Sequence, residues 1–150
     1  MTYTIIKQIV MCLILEKDSV KTIAYTDIIV YKVVTRVKPR RSNVFYRSLY
    51  YNFDYYKDVL YCGELHQTVS PYSCNWIIEN GFHSYARLED AMCIAEDYYS
   101  IVKCIIPAGS EFYKGHGVDF TQQYASNKIV IKEEVRKSPF NLLSNEQSIV

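Results

Sequence analysis

The sequence predicts an α+β protein built on a mostly antiparallel sheet with one main amphipathic helix. Three observations carry this. Several short runs are dense in Ile and Val, which favour extended backbone. One segment, residues 87–99, has apolar residues at helical spacing. The 150-residue chain is 49% hydrophobic and 22% charged, a composition that folds around a core rather than staying disordered. A single domain over residues 1–137 is expected, with 138–150 as a loosely held C-terminal tail.

Taken in order, residues 4–15 (TIIKQIVMCLIL) and 26–36 (TDIIVYKVVTR) read as strands, and EKDSVK between them supplies the turn of a hairpin. Residues 38–58 are polar and aromatic without a clean period, either a long loop or irregular strands. A short strand is expected at 59–62, a turn at Gly63, and a loop through HQTVSPYSC. ENGFHSY reads as a structural turn with a ligand-contacting edge. In the helix, Leu88, Ala91, Met92, Ala95 and Tyr98 or Tyr99 share one face, and Glu89 and Asp90 suit its positive end. Residues 100–106 form a strand stopped by Pro107-Ala108-Gly109-Ser110. A short strand follows at 111–114, then a flexible GHG loop at 115–117, then the strand KIVIKEEV at 128–135.

Charge is balanced overall, at +1, but unevenly placed. From Lys32 to Lys57 there are seven basic residues and one acid, Asp54, whereas Glu79 to Asp97 holds five acids and one base, Arg87. These faces could bind an anion or pair between copies, so a homo-oligomer is expected. The five cysteines include no CxxC pair, which fits a reducing cytoplasm and free thiols packed as small hydrophobes. The N-terminal apolar run is broken by Lys7 and Gln8 and is too short to span a bilayer, so it reads as a buried strand with no membrane role.

Metal sites, nucleophile elbows and phosphate loops find no pattern here. His66, His83 and His116 have no metal-ligand spacing, Ser84 lies in no GxSxG elbow, and PAGSEFYKGHG is not a P-loop. No metal and no cofactor is expected. His83 could contact a ligand or could bond a local carbonyl and order its turn. The basic aromatic stretch carries the strongest signal. Arg40, Arg41 and Arg47 can grip phosphates, while Tyr46 and Tyr50 offer faces for stacking a base. A solvated basic loop whose tyrosines pack on the sheet or line a subunit contact explains the same residues. Near-zero net charge argues against long duplex nucleic acid.

The order GFHSYARLEDA, IVKCIIPAGSEFYKG, YASNKIVI resembles small proteins of phages and prophage-bearing bacteria, over roughly residues 79–131. More distantly, the succession resembles ADP-ribosyltransferase-like folds. There an early strand brings an Arg or His, where this chain has Tyr31 and Lys32, and a late strand begins with a catalytic Glu. Here Asn127-Lys128 precede Ile129-Val130-Ile131. The resemblance implies a nucleotide cleft without its catalytic carboxylate. The expected function is therefore non-catalytic binding of a nucleotide-like ligand, such as a phage anti-defence protein sequestering an immune signalling nucleotide in the host cytoplasm. Arg40, Arg41 and Arg47 would hold phosphates, Tyr46 and Tyr50 would stack, and Phe82 and His83 would form the cleft edge. The alternatives are a divergent ADP-ribosyltransferase-like enzyme using His83, Tyr85 and Glu111 or Glu133, and an inhibitor that docks a host protein.

Overall fold

The computed structural model describes residues 13–16, 19–49, 53–70 and 75–139. Strand makes up 52% and helix 6% of them. The strands are Leu13–Leu15 (β1), Thr22–Ile23 (β2), Ile28–Val37 (β3), Phe45–Ser48 (β4), Asp54–Tyr55 (β5), Leu60–Cys62 (β6) and Gln67–Val69 (β7). Trp76–Ile78 (β8) and Phe82–Tyr85 (β9) lead to the helix Leu88–Ile94 (α1). Ser100–Ile106 (β10), Glu111–His116 (β11), Gln122–Ser126 (β12) and Lys128–Arg136 (β13) complete the chain. Every pairing is antiparallel, in the order β6-β13-β10-β3-β9-β12-β11-β1-β8-β7. β2 adds to β11, while β4 leaves β3 to carry β5.

The three long strands are the Ile- and Val-rich runs read from the sequence. On β3, Val30 and Val34 face the larger core with Val102, Cys104 and Ile106 of β10 and Ile129 and Ile131 of β13. Val33 faces the other way, against Ala91 of α1, Ala95 just beyond the helix and Ile101, as period-two alternation requires. A third cluster joins Leu13, Leu15, Ile78, Tyr113 and Ala125.

Several expectations are corrected. Among the described residues the first two strands do not pair as a hairpin, because β1 pairs with β11 and β8 and β3 with β10, β4 and β9; residues 4–12 of the expected first strand lie outside the described residues. The hairpin's turn chemistry is local, whereas the sheet takes its partners from far along the chain. The helix stops at Ile94 rather than reaching 99. Arg136 of β13 reaches across to donate to the carbonyls of Ala95, Glu96 and Tyr99 at 3.4, 2.8 and 3.0 Å, satisfying groups that a longer helix would have paired internally. Met92 and Cys93 face solvent, leaving Ala91 as the helix's one buried residue. Gly115 and His116 are strand rather than loop, since a Cβ on Gly115 would lie 2.3 Å from Ile14 O. Gln67–Val69, expected as loop, is a strand. Ser138 opens the expected loose tail yet is buried, its N donating to Ser100 Oγ and its Oγ to Tyr98 O. Residues 140–150 of that tail lie outside the described residues.

GFHS is chiefly a strand; the turn sits one step earlier, at Asn80 and Gly81. Gly81 has φ +77, a conformation that L side chains rarely adopt. A Cβ there would meet Leu65 Cδ2 at 2.4 Å and Ser126 O at 2.9 Å. Replacing Gly81 by Ala is expected to cost roughly 2–4 kcal/mol from left-handed strain and overpacking together. Urea unfolding measures this, and an unchanged midpoint would refute the account of the turn.

Candidate functional site

Strand β3 has two edges to share among three partners. One edge pairs with β10 from Ile28 to Val34. The other meets β9 at Tyr31 opposite Tyr85, then β4 from Val34 to Val37. Between those contacts the sheet forks. β4 and β5 follow one branch, with Tyr46 opposite Tyr55 and Arg47 opposite Asp54.

Alternation then sorts the central segment onto two faces. Toward the larger core point Tyr46 and Tyr55, which join Phe82 in its buried cluster. The Tyr55 ring lies 5.2 Å from Tyr61, 4.7 Å from Phe53 and 6.2 Å from Phe82, centroid to centroid. Because β5 ends the β4 branch and β6 ends the sheet on the β10 side of β3, these contacts mean that the sheet curls until those two extremities meet. Tyr46 donates to Glu134 Oε1 at 3.2 Å, and the half-buried Arg36 guanidinium pairs with the same oxygen at 3.3 Å. Burial and the neighbouring Glu134 carboxylate push the Tyr46 phenol up to about 12.

The opposite face of the hairpin carries different chemistry. The Arg47 guanidinium lies 5.7 Å from the Phe45 ring centroid and pairs with Asp54 at 2.9 Å. Tyr56, 47% exposed, packs its ring 5.2 Å from Phe45. Arg40 and Arg41 are exposed on the turn joining β3 to β4, beside Lys38, which donates to Ser42 O. Among the described residues, none of the ion pairs includes either arginine.

The seven residues singled out in the sequence are therefore not one hollow. Tyr46 and Phe82 share the inner core, where their rings pack among aliphatic side chains. Arg47 stands on the outer face, with Arg40 and Arg41 at the hairpin's tip. His83 alternates away from Phe82, and Tyr50 lies outside the described residues. The residues of the enzymatic alternative are also dispersed. Three strand spacings, about 14 Å, separate β9 with His83 and Tyr85 from β13 with Glu133. Glu133 pairs with Lys103, and Glu111 with Lys21 and Asn127. Among the described residues, no group of three or more His, Cys, Asp or Glu could hold a metal ion, and no helix is long and apolar enough to cross a membrane.

Lys32 was passed over as a site residue. It lies at the fork, on the same face as Val30 and Val34. Its Nζ donates to the carbonyl of His83 and stands 5.4 Å from the Tyr55 ring centroid. Burial lowers its pKa, against a smaller opposing effect of Cys104. The thiol of Cys104 is in turn pushed up to about 12 by burial. The visible signal was a lone lysine inside the apolar run IIVYKVV.

His83 Nε2 donates to Asn80 O at 2.9 Å, ordering its own turn. Burial brings the imidazole down to about 4, against the opposing effect of that hydrogen bond and with nearby Lys32 acting in the same direction as burial. A base with a lower pKa folded than unfolded is protonated first in the unfolded chain. His83's contribution is thus intact above about pH 6.5 and falls as pH drops toward 4, by up to about 1.4 kcal/mol per pH unit. Urea unfolding between pH 7 and 4.5 should show a steeper loss for the wild type than for His83→Gln, and equal slopes would refute it. In comparisons with known proteins, no family model, no curated protein and no solved structure matches the chain.

Proposed function

We propose that the protein binds a nucleotide-like ligand without turning it over, at the outer corner of the β3–β4–β5 hairpin. One observation carries this: a half-exposed tyrosine ring, Tyr56, rests on Phe45, whose ring also lies under the Arg47 guanidinium, beside a turn whose two arginines have no acidic partner among the described residues. A planar base can stack on Tyr56, a contact worth about 1–3 kcal/mol. Arg40 and Arg41 can then take phosphate oxygens through forked, charge-assisted bonds. Arg47 is partly neutralised by Asp54, so it serves more to fix Phe45 and Tyr56 than to bind charge itself.

Turnover has little support at this corner. Asp54 is held by Arg47, and His83 belongs to a different strand with its Nε2–H already donated. The Arg36–Glu134–Tyr46 group lies on the other face. The sequence resemblance to phage proteins suggests a setting: a binder of this kind would withhold a bacterial immune signalling nucleotide from its receptor.

Calorimetry against linear and cyclic nucleotides tests the proposal, with the ligand recovered afterwards to check that it is unchanged. Arg40→Ala with Arg41→Ala, and separately Tyr56→Ala, should each weaken binding about tenfold or more, the arginine pair without moving the melting temperature. A panel that gives no heat, or binding indifferent to all three substitutions, would overturn it.

A further inference from the structure

The fork between β9 and the β4–β5 hairpin holds a second constellation, on the inner face. The register that sets Tyr31 opposite Tyr85 places Lys32 opposite Ser84, one step along, on the face that carries Phe82. Ser84 is 2% exposed, and its hydroxyl has no hydrogen-bond partner among the described residues. A buried polar atom in that condition is rare and asks for an occupant. Lys32 has three donors as an ammonium, of which the His83 carbonyl takes one. Among the described residues, none of the ion pairs supplies it with a carboxylate. The Tyr55 ring stands against it, and Phe53, Tyr61 and Phe82 surround that ring in turn. Phe53 is 40% exposed and Lys32 only partly buried, so the ring cluster opens to solvent at one side.

We infer that Lys32 is a carbonyl-capturing amine, and that the fork is a covalent site for a planar aromatic aldehyde. An amine without an acid to hold its proton, lodged among rings, is neutral more of the time than a surface lysine, and the neutral form is the nucleophile. Its lone pair attacks the carbonyl carbon and forms the C–N bond. The π pair moves onto oxygen, which takes up the proton that nitrogen gives away. Loss of water from this carbinolamine leaves the imine, so that amine and aldehyde become imine and water with no oxidant or reductant. Ser84 Oγ acts as a positioning group that donates to the carbonyl oxygen as charge develops there. Phe53, the exposed ring of the cluster, selects a flat substrate over an aliphatic one.

The test is reductive trapping on the intact protein at pH 7. Salicylaldehyde is the probe, cyanoborohydride the reductant, and peptide mapping by mass spectrometry the readout. Lys32 should carry the secondary-amine adduct at least tenfold faster than the exposed Lys38, Lys57 and Lys137. Butyraldehyde should lose that preference. Ser84→Ala should slow trapping at Lys32 severalfold at an unchanged melting temperature, which a merely structural serine would not do. Labelling of Lys32 at or below the surface rate overturns the inference. The wild-type map decides this alone, so a variant that fails to fold leaves the test intact.

Discussion

A β-strand has two edges, and this fold turns on how β3 divides the second of them. Its first edge is filled by seven consecutive pairs with β10. The other is split between β9 and β4, with one paired position on one side of the fork and four on the other. Backbone groups left unpaired inside a sheet are costly, so a fork needs something to occupy it. Lys32 does so by giving an ammonium or amine hydrogen to the carbonyl of His83. The freed β4–β5 hairpin can then bend over the larger core instead of continuing the sheet flat. A flat sheet would leave one end of that core open; here Tyr55 and Tyr61 close it.

The abundance of tyrosine over phenylalanine has a structural reason in this arrangement. At the curled edge, rings must fill volume while their far ends reach unpaired polar groups. Tyr61 accepts from the backbone N of Tyr56 at 2.6 Å, and Tyr46 donates to Glu134. Phenylalanine would fill the same space and leave both partners wanting. Ring pairs add about 0.5–1.5 kcal/mol each beyond the area they bury. Arg36, Glu134 and Tyr46 pin the other end of the hairpin. A half-buried ion pair of that sort adds little net stability but discriminates strongly against wrong pairings.

What could be read from the sequence follows from which interactions are local. Strands β3, β10 and β13, the 107–110 turn and the position of β6 were legible because β-branched runs and Pro-Gly punctuation encode them in place. The pairing of β1 was not, since its partners β11 and β8 lie some 60 or more residues away and a nearby turn motif offered a false local answer. The helix was read too long because its end is set by Arg136, a residue on the last strand. For the candidate site, the types of side chain were visible and their faces were not. Residues 38–58 lack a two-residue period, so nothing in the sequence said that Arg47 and Tyr46 would part to opposite sides. Lys32 stood out only as a charge inside an apolar run, and its meaning depends on a fork made by strands remote in sequence.

The same alternation explains how one short hairpin can present two kinds of chemistry. A slip of one residue in the β3–β4 register would turn Arg47 and Phe45 inward and Tyr46 outward. It would carry the Arg47–Asp54 pair toward the core and leave Glu134 without Tyr46, and burying one charged pair while stripping another would disfavour that state by several kcal/mol. The correct register instead keeps the paired Arg47 and Asp54 at the surface and Arg40 and Arg41 exposed in water, where charge is cheap to hold. It keeps Lys32 against the Tyr55 ring, where burial lowers the pKa of its amine. Outer corner and inner fork are thus separated by the thickness of one strand, and the cost of mispairing protects the distinction between them.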